Sequence, residues 1–240
     1  MKKLYLDIET APNKVWAWGL WQQNIAINQI EEPGYTLCWA AMWDKGPVVF
    51  ESGRGMIKKL HSLLEEADVV IHYNGTRFDI PTVNKEFLLQ GMTPPSSYHE
   101  IDLLRTVRRR FRFSSNKLDY VAQQLGLGAK TQHMGMGLWR GCMDGDEKCW
   151  KTMERYNKQD VRLLKKLYEK LLPWIPNHPN HGVFTESDDP TCRNCGSKNV
   201  KKNGIERKVT LPYQRYKCLN CGAPLRARSR LRAASDGVLV

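Results

Sequence analysis

Long apolar runs are missing from this chain. No window approaches the roughly 18 consecutive apolar residues that a membrane-spanning helix needs, so no membrane role is expected. The opening residues MKKLYLDIET carry two lysines, but no apolar h-region and no small-residue cleavage site follow. That sets aside a secretory leader, and the segment reads as a first strand. Internal repeats and low-complexity tracts are also lacking. Acidic residues are scarce beside basic ones: 25 Asp and Glu against 37 Lys and Arg, a formal net charge of +12. Such an excess is an argument about partners rather than fold. Nucleic acid is the common acidic partner of so basic a chain; a merely basic soluble protein is the alternative. The seven cysteines are an odd number in a chain without an export signal. A reducing, cytoplasmic setting is therefore expected, in a prokaryote or encoded by a virus.

What is present suffices for one α/β domain with a real core and a small appendage in 240 residues. Residues 3–9, 35–43 and 47–51 read as strands of an antiparallel meander. Residues 56–66 have helical periodicity, with apolar positions 56, 57, 60, 63 and 64 on one face. A short buried-type strand at 68–73 precedes a helix over 80–90 that Gly91 ends. Residues 99–104 read as the last strand of the sheet. A helix over 116–125 is expected to open on an Asn cap and close at Gly126, and 147–171 form a long amphipathic helix. Residues 173–190 hold four of the twelve prolines and no periodicity, which reads as a linker. The organisation expected is a catalytic domain over 1–172, a linker over 173–190, a ribbon over 191–232 and a tail over 233–240.

Three segments bring carboxylates to places where a sheet edge gathers them. Asp7 and Glu9 stand at i and i+2 of the first strand and so share a face. Alone, such a pair is most simply a solvated strand face; held close, the two charges call for a cation between them. Asp79 follows the buried strand in Asn74-Gly75-Thr76-Arg77-Phe78-Asp79. At a strand-to-helix junction it is either a helix cap or a site residue. Tyr156 and Asp160 are four apart on the long helix and share a face, with Leu163, Leu164 and Leu167 continuing near it. An aspartate on that stripe is costly to bury unpaired, unless Arg155 or Lys158 draws it outward.

In this order and at these separations, DIET at 7–10, NGTRFD at 74–79 and the Tyr156-to-Asp160 YxxxD pattern resemble the three exonuclease motifs of the DEDD superfamily, tyrosine subclass. EIDLLR at 100–105 and NKLDYVAQQLGL at 116–127 extend the likeness to the exonuclease domain of family B DNA polymerases and their stand-alone relatives. It covers about residues 1–172. A histidine at position 156 would mark the other subclass. The resemblance implies a ribonuclease H-like α/β fold, a mixed sheet flanked by helices. It also implies 3′→5′ hydrolysis from a nucleic-acid 3′ end, single-stranded and with DNA favoured, releasing nucleoside 5′-monophosphates. An exoribonuclease is the rival within enzymology; a non-catalytic zinc-ribbon nucleic-acid-binding protein is the rival from another class. Phosphodiester hydrolysis of this kind uses two divalent cations about 4 Å apart. Hard Mg²⁺ or Mn²⁺ ions want carboxylate oxygens, and Asp7, Glu9, Asp79 and Asp160 supply four. Tyr156 is expected to orient the attacking water, with Asn74 and Phe78 contacting substrate.

Near the C-terminus, Cys192-x-x-Cys195 and Cys218-x-x-Cys221 have the spacing of a tetrahedral, structural Zn²⁺ site. Gly196 and Gly222 follow the two pairs and allow the tight turns such knuckles need. The segment resembles the zinc ribbons of transposases and transcription proteins. Residues 191–232 hold twelve Lys and Arg against one acid, Glu206. The ribbon is therefore expected to grip nucleic acid, with Tyr213, Arg215 and Tyr216 as contacts; a purely structural clip is the alternative. A second basic run, Arg105, Arg108, Arg109, Arg110 and Arg112, interleaves with Phe111 and Phe113. Of these, Arg108, Arg109 and Arg110 suit a strand entering a cleft, although a solvated loop with two core phenylalanines fits as well. Trp16, Trp18 and Trp21 either cover the core or form a platform for substrate. Cys38 reads as core. His133, Cys142 and Cys149 are too irregularly spaced for a metal site. No protein partner is indicated.

Overall fold

The computed structural model describes residues 1–129, 134–184, 189–209 and 211–231. It divides into two compact units, Lys2–Leu167 and the chain from Tyr168 onward.

The first unit is built on β1 (Lys3–Thr10), β4 (Thr36–Trp43), β5 (Val48–Ser52), β6 (Val69–His72) and β7 (His99–Asp102), in the sheet order β5-β4-β1-β6-β7. β1 runs antiparallel to β4, and β4 to β5, which is the meander expected from the sequence. β6 and β7 extend the sheet in parallel from the other side of β1. The helices are α1 (Met56–Glu66), α2 (Asp79–Leu89), α3 (Leu103–Arg110), α4 (Leu118–Gln124), α5 (Met136–Met143) and α6 (Glu147–Leu171). A small ribbon of β2 (Lys14–Val15) and β3 (Ile30–Glu32) interrupts the connection from β1 to β4.

Strand alternation sorts the side chains of β1. Leu4, Leu6 and Ile8 join Met56, Ile57, Leu60 and Leu64 of α1 and Ile80, Val83 and Phe87 of α2 in one core. Each such side chain taken out of water contributes roughly 1.5–3 kcal/mol, and α1 is helical because four of them recur on one face. Asp7 and Glu9 therefore look the opposite way. Glu9 pairs directly with Cys38. Cys38 belongs to a second core with Leu138 and Cys142 of α5 and Cys149, Met153 and Tyr156 of α6. The sheet thus carries α1 and α2 on one face, and on the other the acids of β1 together with α5 and α6.

Several local expectations change. The strand at 99–104 stops at Asp102, which also caps α3 by accepting the Leu104 N–H at 3.0 Å. Arg105, Arg108, Arg109 and Arg110 are thus part of a helix rather than a loop, with Arg112 beyond its end, and Phe111 and Phe113 are half-buried against each other, 5.8 Å apart. α4 begins after Lys117 with no side-chain cap, so Asn116 is not its cap. Trp16, Trp18 and Trp21 are 70%, 98% and 84% exposed and do not cover the core. No helix among the described residues is long and apolar enough to cross a membrane.

In the second unit, β8 (Val200–Arg207), β9 (Pro212–Cys218) and β10 (Pro224–Arg226) form an antiparallel sheet ordered β10-β9-β8. The proline-rich stretch before it is not bare chain. It holds two short 3₁₀ turns, Leu172–Trp174 and His181–Phe184. Asn194 donates to the Leu172 carbonyl at 2.7 Å, Arg193 donates to the Pro176 carbonyl, and the Tyr168 hydroxyl meets the buried His178 ring at 2.7 Å. Residues 233–240 and His133 lie outside the described residues.

Candidate active site

Asp7, Glu9 and Asp160 converge: each offers a carboxylate oxygen, and these oxygens all lie within 4.8 Å of one another. The first two come from β1 and the third from α6. Asp160 is 1% exposed, and an ionised carboxylate so placed is costly unless a cation shares the site. Three hard oxygen donors gathered in this way fit Mg²⁺ or Mn²⁺.

Between Asp160 and the motif's Tyr156 on α6 sits a residue the sequence reading passed over. Asn157 is fully buried, and its amide donates to Asp7 Oδ2 at 2.7 Å and to the Asp7 carbonyl at 3.4 Å. A hydrogen bond to a carboxylate is stronger than a neutral one, so Asn157 fixes which way Asp7 points. Its own Oδ1 is buried with no hydrogen-bond partner among the described residues. The only sequence signal was a polar residue on a core-facing stripe. Tyr156 lies one turn from Asp160, almost fully buried, its ring edge-on to Trp139 at 6.1 Å.

Asp79 is brought to β1 differently. It is buried, opens α2 without acting as its cap, and accepts the Ile8 N–H at 3.2 Å. Its oxygens are not part of the three-carboxylate group. Burial pushes its carboxyl up to about 6, against the pull of His72 and the Ile8 N–H. The turn before it is rigidly built. Asn74 takes a left-handed conformation, φ 69°, and donates its N–H to Asp102 at 2.9 Å. The buried His72 ring accepts the Gly75 N–H on Nδ1 at 3.1 Å, and its Nε2 meets Glu100 at 3.2 Å. Glu100 also takes the Thr76 hydroxyl at 2.9 Å. A Cβ on Gly75 would lie 2.4 Å from the His72 ring, so this close approach admits only glycine.

Asp7 and Asn74 line a cleft of about 590 Å³ together with Arg108, Asn116, Lys117 and Asp119. Of the three arginines expected to meet substrate, Arg108 lines this cleft, while Arg109 and Arg110 are exposed on α3. Phe78 is 44% exposed at the start of α2. Lys117 was not singled out from the sequence, because nothing in NKLDYVA marks its direction.

In the second unit the four cysteines meet. Their sulfurs lie within 4.8 Å of one another, with Cys192 to Cys221 at 3.7 Å and Cys195 to Cys218 at 3.6 Å. A tetrahedral centre with bonds of about 2.3 Å calls for sulfur separations of about 3.8 Å, so the cluster fits a zinc ribbon. Gly196 and Gly222, at φ 73° and 81°, turn the backbone back after each knuckle. Burial acts to raise the Cys218 thiol, but the N–H groups of Cys221 and Asn220 and the neighbouring thiols outweigh it and bring it down to about 7. Tyr213 and Arg215 share one face of β9, and Tyr216 looks the other way.

No curated protein matches the chain closely enough in sequence to count as a relative. Among solved structures it is similar to a family B DNA polymerase from the hyperthermophilic archaeon Pyrobaculum calidifontis. The TM-score is 0.56 and the identity 20%, over 72% of this chain and 24% of the polymerase. The chain thus spans about a quarter of that protein, and the likeness is one of fold. The sheet order, the acids on its central strand and the helix that brings Asp160 to them all lie within residues 4–172, the stretch that the RNase_H superfamily model matches. This chain belongs to the RNase_H superfamily.

Proposed function

We propose that the protein is a metal-dependent 3′→5′ exonuclease. It hydrolyses phosphodiester bonds at nucleic-acid 3′ ends, DNA favoured, and releases nucleoside 5′-monophosphates. The observation that carries this reading is the convergence of Asp7, Glu9 and Asp160 within 4.8 Å, beside a cleft lined by Arg108 and Lys117. The direction of digestion rests on the resemblance of the three motifs.

Asp7, Glu9 and Asp160 are the residues that would hold two Mg²⁺ or Mn²⁺ ions, with Asp79 adjoining them. Bound there, the ions would supply Lewis-acid activation of the attacking water and stabilisation of the departing 3′ oxygen. The protein's own part is placement. Asn157 keeps Asp7 in one orientation. Tyr156 orients the water through its hydroxyl. Arg108 and Lys117 neutralise the phosphates of the strand, and Asn74 and Phe78 contact its terminal nucleotides. The water oxygen bonds to phosphorus, the bond from phosphorus to the upstream 3′ oxygen breaks, and the strand is left with a new 3′-hydroxyl. The second unit takes one structural Zn²⁺ on Cys192, Cys195, Cys218 and Cys221.

The test is digestion of matched 5′-labelled DNA and RNA oligonucleotides, single- and double-stranded, with Mg²⁺ or Mn²⁺. A ladder shortening from the 3′ end is expected. It should vanish in Asp7→Ala and Asp160→Ala; losing one of several clustered like charges favours their folds, against the buried Asn157 amide that Asp7→Ala leaves without its acceptor, and melting temperatures check that both stay folded. Near wild-type rates in either variant would overturn the site. Binding without cleavage of any substrate would mark a nucleic-acid-binding module instead.

A further inference from the structure

The ribbon sheet has a charge pattern that the isolated fold does not explain. Lys201 of β8 stands directly opposite Lys217 of β9, and Arg215 of β9 directly opposite Arg226 of β10. Directly opposed residues share a face with Cβ atoms about 4.5–5.5 Å apart, and like charges so placed are destabilising. Arg215 and Lys217 are two apart on one strand and share that face too. Two cationic pairs therefore stand side by side, and all four residues are exposed. The acid on this face, Glu206, pairs with Lys208 at 2.7 Å and lies 3.8 Å from Arg226. It leaves the face strongly positive. The opposite face takes no share of these cations, since Val200, Cys218 and Leu225 turn there into the small cysteine-lined core.

The same face offers little to a base. The Arg226 guanidinium lies 4.4 Å over the Tyr213 ring, so a side of that ring is already covered. Gln214 points to the opposite face, where its amide is spent on the carbonyls of Gly204 and Arg215, at 2.8 and 3.0 Å. What remains is guanidinium and ammonium, which suit phosphate oxygens. A groove of about 940 Å³ adjoins the sheet; five cations, Arg193, Lys208, Arg215, Arg226 and Arg228, line it against one acid, Glu206, with Tyr216 beside them. An extended polyanion matches a run of cations that passes from a sheet face into a groove.

We infer that the ribbon face carrying Lys201, Arg215, Lys217 and Arg226, with its adjoining groove, is a sequence-independent binding site for the phosphodiester backbone of nucleic acid. The inference rests on nucleic acid being the substrate, but not on the chain cleaving it. Tyr213 acts within it as the support that holds Arg226 outward.

The experiment uses the full, zinc-loaded chain without Mg²⁺ or Mn²⁺. Fluorescence anisotropy follows the binding of a homopyrimidine strand and a mixed-sequence strand of equal length as KCl rises. Variants are Arg215→Gln with Arg226→Gln, Lys201→Gln with Lys217→Gln, and Lys202→Gln on the opposite face as control. Each phosphate contact removed should lower the slope of log affinity against log salt by about 0.7. Each double variant should therefore lose more than one unit of slope, equally on both strands, and melt no lower than wild type. If a double variant loses its zinc, Lys217→Gln alone should still lose about 0.7. An unchanged slope, a loss confined to one sequence, a loss equalled by Lys202→Gln, or weakened binding of polyglutamate with nucleic acid unaffected would each overturn the inference. Cleavage of a very short oligonucleotide in Mg²⁺ separates the two readings. If wild type fails to cleave while the slopes fall as stated, the nuclease reading is lost and this site stands.

Discussion

A metal site at Asp7, as proposed, needs that carboxylate oriented and close to two others. The Asn157 amide at 2.7 Å meets the first need without adding charge. It does so from a fully buried position that leaves its own oxygen without a hydrogen bond among the described residues, which costs roughly 1–3 kcal/mol. At the neighbouring position, Tyr156 has a different task on the proposed reading. Its ring is packed on Trp139, so Tyr156→Phe keeps the packing and removes only the hydroxyl. Turnover should then slow by about 10²-fold, with Mg²⁺ or Mn²⁺ affinity unmoved by calorimetric titration; a large fall in affinity would make the tyrosine a ligand instead. Asp79 has another problem, a carboxyl pushed up to about 6 by burial. Since its ordinary value is 3.8, the folded state holds this proton more tightly than the unfolded chain does. Stability from this group is thus full below about pH 4 and is lost as pH rises through about 6. The two-unit interval corresponds to about 3 kcal/mol at most. In buffer without Mg²⁺ or Mn²⁺, the wild type should lose melting temperature relative to Asp79→Asn between pH 4 and 6. A difference that runs the other way would remove burial as the cause.

Elements explain which of these residues the sequence reveals. Asp7 and Glu9 are legible because strand alternation sends them together, and Tyr156 and Asp160 because helical periodicity does. The amphipathic α1 and α6 follow from their repeats alone. α3 is not legible in the same way. Its inward Leu103, Leu104, Thr106 and Val107 are spaced for a helix, but Asp102 ends β7 and caps α3 at once. With no turn residue between them, strand and helix run together in the sequence. α5 is short, begins after a left-handed Gly135 and contains two further glycines, so its propensity is poor and packing of Leu138 and Cys142 has to hold it. The motif-two turn is legible as a motif but not as a mechanism, because His72 and Glu100 reach it from two different strands. That network makes a prediction at this scale. In Gly75→Ala the new methyl meets the His72 ring, and overpacking of this kind costs typically 1–3 kcal/mol. Since the displaced turn also places Asp79 against Ile8, cleavage should fall at least 10-fold. A melting temperature and a rate both equal to wild type would show that the turn yields freely.

For the whole molecule, the open matter is what a ribbon contributes to a chain whose acids already sit in the first unit. Charge separates the two roles. On the proposed reading, the three-carboxylate site needs only the last nucleotides of a strand, whereas the exposed cations of β8, β9 and β10 need length to act on. Counterion release makes the second kind of binding steeply salt-dependent and the first much less so. Stripping Zn²⁺ with a thiol-directed chelator and restoring only Mg²⁺, or replacing Cys192 by Ser, should unfold the ribbon, because a site short of a ligand rarely folds. Cleavage of long substrates should then slow several-fold at moderate salt and lose most of its salt dependence. Very short oligonucleotides, which the ribbon does not hold, should be cut at the wild-type rate. A ribbon that serves only as a structural clip predicts another pattern: a lower melting temperature for the first unit and a loss of rate on every length. Rates on matched long and short strands, measured on the same zinc-depleted sample at two salt concentrations, decide between them, and equal losses on both lengths would rule out the anchoring role.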